Sequence, residues 1–460
     1  MLMTTARIWD KEGAARNGFM PVQTYSNAAD KGISYFPRLV SASGDNYYVS
    51  FPPFIFLFSY YVLKLFGFCV SVTGLHFLNL FVQIIGAWYL CRILQFFLPS
   101  GNQLLPFISA LCVWVFAATN LEFYFFAEIL GLCLFLALTY HCIGYINYTR
   151  DNRFFIFIYA FLLAYTEWIS LFFFLSLVVI YLFFPSQRPR LKGLIFLCGT
   201  AISAGILLML VQFSGINGWY ALAKSLALRL TMRTGYFSER LSEVGVQIYS
   251  LQTLYFLIRN TWKSLYLFPL VFAGMVIAAR VFSPGAVKNY FIKYRVAILL
   301  LCLPVFFHGI VFANATALHN HYLVKYTVPL ALGLALCASI LNKGARSRVA
   351  LWLIFILTTV FSVHYFRTHY STNDAPDFWI SASNYIKENS AEDESLFLKM
   401  ESPYYMPAVA LTCFTGRNIA LAENEAAAKS KAILLGKKRG VFYDLNEYSG
   451  EIQRVHFNGE

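Results

Sequence analysis

The chain has 460 residues, 58% of them hydrophobic, 18% aromatic and only 13% charged, a balance that one water-soluble core of this length could not absorb. The formal net charge of +13 is unevenly spread, with 13 acids and 9 bases in residues 373–460 against 10 acids and 27 bases before them. The bases sit in short loops between apolar runs, the pattern that orients membrane segments, so nucleic acid is excluded as a partner.

In chain order, residues 1–51 form a polar head with no basic stretch leading into an apolar run, so no signal peptide is visible. The apolar run Pro52 to Phe68 opens on Pro52-Pro53 and reads either as a span or as a helix lying in the membrane interface. A crossing helix needs about 20 apolar residues, fewer where the bilayer thins. Spans are expected near 75–97, 105–118, 127–146, 154–165, 168–184, 192–213, 263–282, 296–313, 323–341 and 349–367. With these ten, the basic loops Arg150/Arg153, Arg188/Arg190/Lys192, Arg280/Lys288/Lys293/Arg295 and Lys343/Arg346/Arg348 share one side, which the positive-inside rule makes cytoplasmic. The long loop 214–262, the 313–322 loop and the tail fall on the outer side, and so does the head if Pro52 to Phe68 does not cross. Within the long loop, Trp219 to Leu230 reads as an amphipathic helix resting on the membrane surface. The tail alternates a helix over Asp377–Asn389 with strands over Ser395–Met400, Ala432–Leu435 and Val441–Leu445. The expected fold is therefore an all-α polytopic membrane protein of about ten or eleven spans with a small α/β C-terminal domain. Its divisions fall at 1–51, 52–367 and 368–460.

Eight of the nine cysteines lie in or beside apolar runs, so neither a disulfide framework nor a paired metal site follows. Residues 1–372 offer ten carboxylates, among them Asp10, Glu12, Asp30, Asp45, Glu122, Glu239 and Glu243. Glu128 and Glu167 are embedded in apolar sequence, where an ionisable group is costly. Each reads equally as an interfacial acid or helix cap, or as a functional acid. The stretch Ala317 to Tyr326 brings His319, His321 and Lys325 to the outer end of a span. The two histidines, two residues apart, do not share a helix face and make a poor zinc pair. Lys325, one α-helical turn from His321, suits a cationic pocket for a phosphate, unless it snorkels to the headgroups. Arg229, Arg233 and Arg240 in the outer loop face headgroups or an anionic ligand. No phosphate-binding loop, dinucleotide fingerprint or zinc-binding HExxH helix is present, and no internal repeat suggests a secondary transporter.

The stretch Thr5-Ala6-Arg7-Ile8-Trp9-Asp10-Lys11-Glu12-Gly13, then Tyr48-Val49-Ser50-Phe51-Pro52-Pro53-Phe54, then Leu65-Phe66-Gly67, resembles the first outer loop of GT-C class glycosyltransferases. These lipid-linked-sugar enzymes include the protein O-mannosyltransferases, of the dolichyl-phosphate-mannose-protein mannosyltransferase type, and the aminoarabinose transferase of lipid A. In that class an A-R-x-W helix and a Y-x-x-x-P-P stretch precede an L-F-G turn. Glu128 at the head of its span, Thr166-Glu167-Trp168, and His321-Tyr322 ahead of Pro329 also resemble the class, over most of residues 1–367.

The resemblance implies transfer of a sugar from a polyprenyl-phosphate donor to a lipid, glycan or protein acceptor at the outer face, in the inner membrane of a bacterium. A carboxylate would act as base on the acceptor hydroxyl while cations stabilise the departing lipid phosphate. Lys325, His321, Arg229 and Arg233 are the expected donor-phosphate contacts. Glu128 and Glu167 are acceptor-side or structural acids, and Arg7, Trp9, Tyr48, Pro52 and Pro53 build the loop. No cofactor is implied, apart from a divalent cation as an open option. The class also carries a helix and a catalytic acid ahead of its A-R-x-W motif. The expectation is therefore that the native gene encodes both before Met1, with Asp10 or Glu12 as the base in this chain otherwise. The alternatives are a catalytically impaired or non-catalytic member of the class, or an O-antigen polymerase, ligase or flippase.

Overall fold

In the computed structural model of the chain, the structure describes residues 2–25, 27–33, 39–68, 70–97, 126–147, 151–234, 251–265, 267–318, 320–341, 345–370, 375–399, 406–445 and 451–458. The span expected near 105–118, with Glu122, Arg150, Glu239, Arg240, Glu243, His319 and Lys343, lies outside them. The helices are α1 (Leu2–Glu12), α2 (Phe54–Leu65), α3 (Val72–Phe97), α4 (Phe126–Ile146), α5 (Arg153–Ala164), α6 (Ile169–Phe183), α7 (Arg188–Thr234), α8 (Leu251–Leu265), α9 (Phe268–Phe282), α10 (Pro284–Val311), α11 (Ala313–Leu318), α12 (Thr327–Leu341), α13 (Ala345–Tyr370), α14 (Ala375–Glu388), α15 (Met406–Thr415) and α16 (Glu425–Leu434). The strands are β1 (Leu39–Val40), β2 (Asn46–Tyr47), β3 (Ser395–Lys399), β4 (Ile419–Ala422), β5 (Arg439–Leu445) and β6 (Ile452–Asn458).

The protein is an integral membrane protein with a small α/β domain at its C-terminus. Among the described residues, Val72–Phe97, Ala127–Ile146, Pro185–Thr231, Val287–Val311 and Tyr322–Leu341 are helical stretches long and apolar enough to cross a bilayer. Shorter apolar helices run over Phe54–Leu65, Arg153–Ala164, Ile169–Phe183, Phe268–Phe282 and Val349–Phe361. The chain divides into two compact units, one made of Met1–Val72, Leu210–Leu228 and Thr372–Glu460, the other of Thr73–Met209 and Arg229–Ser371.

In the second unit the helices are apolar on nearly every side, and side chains as large as Phe183 and Phe196 stand 73% and 76% exposed, as surfaces that face lipid do. Lipid gives no hydrophobic drive for one helix to meet another, so contact comes from close backbone approach at small residues. At Gly205 of α7 a Cβ would sit 2.8 Å from the Phe161 carbonyl of α5, so only glycine allows that crossing. Two sequence expectations are corrected along the chain. The helix of the span expected over 192–213 runs a few residues further, to the break in α7 at Asn217 (φ −153°) and Gly218 (φ 77°). The amphipathic stretch from Trp219 is a second helix, set off from the first by that kink. The span 263–282 is divided instead between α8 and α9, with Pro269 in the first turn of α9, where its missing N–H costs nothing.

In the first unit, α1 turns Ala6, Ile8 and Trp9 inward, and Trp9 meets Tyr60 of α2 edge-on at 5.4 Å between centroids. A sheet ordered β4-β3-β5-β6 follows, parallel across β4-β3-β5 and antiparallel between β5 and β6. Strand alternation sorts its residues. Leu396, Leu398, Val441, Tyr443 and Leu445 pack with Ala382 and Ile386 of α14 and Leu411 of α15. Phe397 and Phe442 pack on the other face with Ala428 and Ala432 of α16 and with Ile33. Ile33 belongs to the N-terminal head, so the head completes the tail's core. The strand expected over Ala432–Leu435 is corrected to the last turns of α16. Asn424 caps that helix by accepting from the Ala427 N–H at 2.9 Å, and the alanine run behind it favours helix over strand.

Candidate functional site

Glu167 lies in the short break between α5 and α6. Thr166 Oγ1 donates to the Leu162 carbonyl at 2.6 Å, the Glu167 N–H to that of Leu163 at 2.8 Å, and Ser170 Oγ to that of Glu167 at 3.1 Å. The tight turn sends the carboxylate into the bundle, where Gly131 of α4 makes room. A Cβ on Gly131 would meet the Glu167 Cβ at 3.1 Å. Glu128 stands three residues before Gly131, on the same helix face, and is 1% exposed.

Two cation-capable groups reach Glu167 from elsewhere in the unit. Lys325 Nζ is 3.2 Å and His308 Nε2 3.4 Å from the same oxygen, Oε1. Both contacts are at ion-pair distance but off the hydrogen-bond line. Lys325 is 1% exposed and Glu167 fully buried, so Lys325 does not reach out to headgroups, and Glu167 Oε2 also accepts from the Ile169 N–H at the start of α6 at 3.4 Å. Lys325 belongs to a 3-10 segment, Asn320–Tyr326. That corrects the α-helical spacing expected between it and His321, because in a 3-10 turn the residue eclipsing Lys325 is three back, not four. That residue is Tyr322, and its ring centroid is 4.8 Å from Lys325 Nζ. The side chain of His321 lies outside the described residues.

Aromatic rings enclose the group. The His308 ring stacks on Tyr322 at 5.6 Å and 28°, and meets Phe172 and Phe312 edge-on at 5.5 and 5.0 Å. Over the same rings stands Arg233 of α7, its guanidinium carbon 5.7 Å from the Phe312 centroid and 6.0 Å from that of Tyr322. Arg229, one helical turn earlier, is half-buried. The cluster thus gathers two carboxylates, an ammonium, an imidazole and a guanidinium in an aromatic setting where water screens little.

Of the residues singled out in the sequence, Glu128, Glu167, His321, Lys325, Arg229 and Arg233 belong to this unit, and Glu128, Glu167, Lys325 and Arg233 are brought together. Arg7, Trp9, Asp10, Glu12, Tyr48, Pro52 and Pro53 belong to the other unit. Asp10 pairs with Lys64 at 2.7 Å and Glu12 is half-buried beside it in the chain. Arg7 donates to the Cys413 carbonyl of α15, and Tyr48 stacks on Phe51 at 6.2 Å. Pro53 is the N-cap of α2 and Pro52 precedes it. His308 was missed, although an ionisable side chain within an apolar run is the same signal that marked Glu128 and Glu167. Among the described residues no three His, Cys, Asp or Glu side chains converge in a group that could hold a metal ion.

No family model matches the sequence and no curated protein matches it significantly. Among solved structures, the chain is similar to the archaeal oligosaccharyltransferase AglB from Archaeoglobus fulgidus in complex with an inhibitory peptide and a dolichol-phosphate. The identity is 12% and the TM-score 0.44, over 96% of this chain and 65% of that one. It is also similar to the Archaeoglobus fulgidus oligosaccharyltransferase tethered with an acceptor peptide containing the NVT sequon, at 12% identity and TM-score 0.41 over 89% and 62%. For that enzyme in complex with Zn and sulfate the values are 13% and 0.40 over 89% and 60%. The chain spans less than two thirds of the length of these three.

Proposed function

We propose that the protein is a GT-C type membrane glycosyltransferase that moves a sugar from a polyprenyl-phosphate donor to an acceptor at the outer face of a bacterial inner membrane. The motif order of the head and the first spans supports the reading. The observation that carries it is the aromatic-lined cluster of Lys325, His308, Arg233 and two buried carboxylates. In the proposed reaction the bond from the sugar anomeric carbon to the phosphate oxygen breaks and a bond to an acceptor oxygen forms. The acceptor proton passes to a carboxylate, and the negative charge is left on the lipid phosphate.

Lys325 is already paired with Glu167, so the departing phosphate needs further positive charge. Arg233 and Arg229 supply it, with Lys325 as a further donor-phosphate cation and His321 as a further contact of the proposed site. Glu167 is the structural acid that fixes Lys325, and Glu128 is the acceptor-side acid. The isoprenoid chain has apolar helix surfaces at hand throughout the unit. Binding of polyprenyl phosphate to the reconstituted protein tests the reading. Arg233→Ala is expected to weaken it about 30- to 1000-fold, the usual cost of one charged phosphate partner. Unchanged binding by that variant would remove the phosphate from this cluster.

A further inference from the structure

At the end of the second unit that carries the basic loops, a cavity of about 470 Å³ lies where α3, α4 and α10 meet the start of α7. Phe96, Ile143 and Ile292 give it an apolar wall, Asn147 and Gln187 a polar one, and Lys293 and Arg295 two positive charges. Among the described residues no carboxylate lines it. Lys293 Nζ lies 4.9 Å from the Tyr294 ring centroid, and the Arg295 guanidinium carbon 4.8 Å from that of Phe184. Tyr294 is itself held against Phe96 and Phe97 at 5.6 and 5.2 Å, which fixes that wall.

More cations stand next to this lining. Arg153 and Arg190 both lie over the Tyr145 ring, at 6.0 and 5.4 Å, and Tyr145 is two residues from Asn147. Arg190 also donates to the Tyr145 carbonyl. The carboxylate at this end among these residues is Asp151, 3.3 Å from Arg153. Four cations against one acid repel one another unless an anion joins them, and a cavity of this volume accepts a group of headgroup size.

The geometry points to a phosphate-binding site in this cavity, separate from the aromatic cluster and independent of the proposed reaction. Its ligand is a phosphate ester with an apolar portion for the Phe96, Ile143 and Ile292 wall. An anionic phospholipid presents that chemistry from the bilayer and a soluble phosphate ester presents it from water. Lys293 and Arg295 are the contacts, and neither belongs to the aromatic cluster.

The test is retention of phosphatidylglycerol by the purified full-length protein in detergent, against phosphatidylcholine of the same acyl chains, with glycerol 3-phosphate as competitor. Phosphatidylglycerol is expected to bind in preference, and K293Q/R295Q to bind it roughly 30-fold more weakly. K288Q, a charge loss on the same helix outside the lining, is expected to bind as the unmodified protein does. Displacement by glycerol 3-phosphate assigns the site to soluble phosphate esters, and failure to displace assigns it to lipid. Equal retention of the two lipids, full retention by K293Q/R295Q, or an equal loss in K288Q would overturn the proposal. Should the double variant not fold, K293Q alone, altered at an exposed side chain, carries the same comparison.

Discussion

An ammonium and a carboxylate taken out of water each lose several kcal/mol of solvation, and mutual attraction returns it only where both are held in place. Glu167 and Lys325 are held by a tight turn and a 3-10 segment, at 3.2 Å from each other, with His308 as a second neighbour. Lys325→Met leaves the buried carboxylate without its ammonium and is expected to cost about 3–5 kcal/mol of stability. Adding Glu167→Gln should restore most of that loss, as thermal unfolding in detergent would register. A double variant no more stable than Lys325→Met would show that the two side chains are not coupled. At this scale the sequence was partly legible. An ionisable residue in an apolar run declares itself, which marked Glu128 and Glu167. Their meeting with Lys325 depends on contacts more than 150 residues apart, which no local pattern encodes. The choice of partner under Lys325 turned on a 3-10 turn that looks helical in sequence.

The elements of the head and tail are joined by one buried ion pair. Arg417 Nε reaches Asp30 Oδ1 and Oδ2 at 3.1 and 3.2 Å, and its Nη2 reaches the Glu394 carbonyl at 2.6 Å. Burial pushes the Asp30 carboxyl up to about 6, against the lowering effect of Arg417. The folded form then binds the proton more tightly than the unfolded chain, whose carboxyl titrates near the ordinary value of 3.8. Stability from this group is fully present below that value and is lost as pH rises through about 6, a change of about 3 kcal/mol at most. Thermal unfolding followed between pH 4 and 7 should show this fall, and Asp30→Asn should flatten it. A slope that survives in Asp30→Asn would place its origin elsewhere. Such ties between residues 387 positions apart are invisible in sequence, whereas α14, β3 and β5 were legible from their local periodicity. The error at Ala432–Leu435 came from weighing a four-residue apolar run without the cap at Asn424 that begins its helix.

For the whole molecule, hydropathy and loop charge were enough to establish a multi-span membrane protein with an appended α/β domain, because a bilayer leaves the backbone few alternatives. They did not reveal that head and tail share one compact unit. The orientation inferred from the basic loops predicts that single cysteines in residues 1–51 and 373–460 react with an impermeant thiol reagent in intact cells, and those in 185–192 and 280–295 do not. Protection of the tail would invert the orientation and with it the outer site. The central claim is sugar transfer from a lipid phosphate, and it is tested most directly by turnover in proteoliposomes. Purified protein would be supplied with a total polyprenyl-phosphate-sugar extract, and release of polyprenyl phosphate followed by mass spectrometry. The account predicts loss of one lipid-linked sugar, with Arg233→Ala at least about 30-fold slower. A folded protein that consumes no lipid-linked sugar, or a variant as fast as the original, would contradict it.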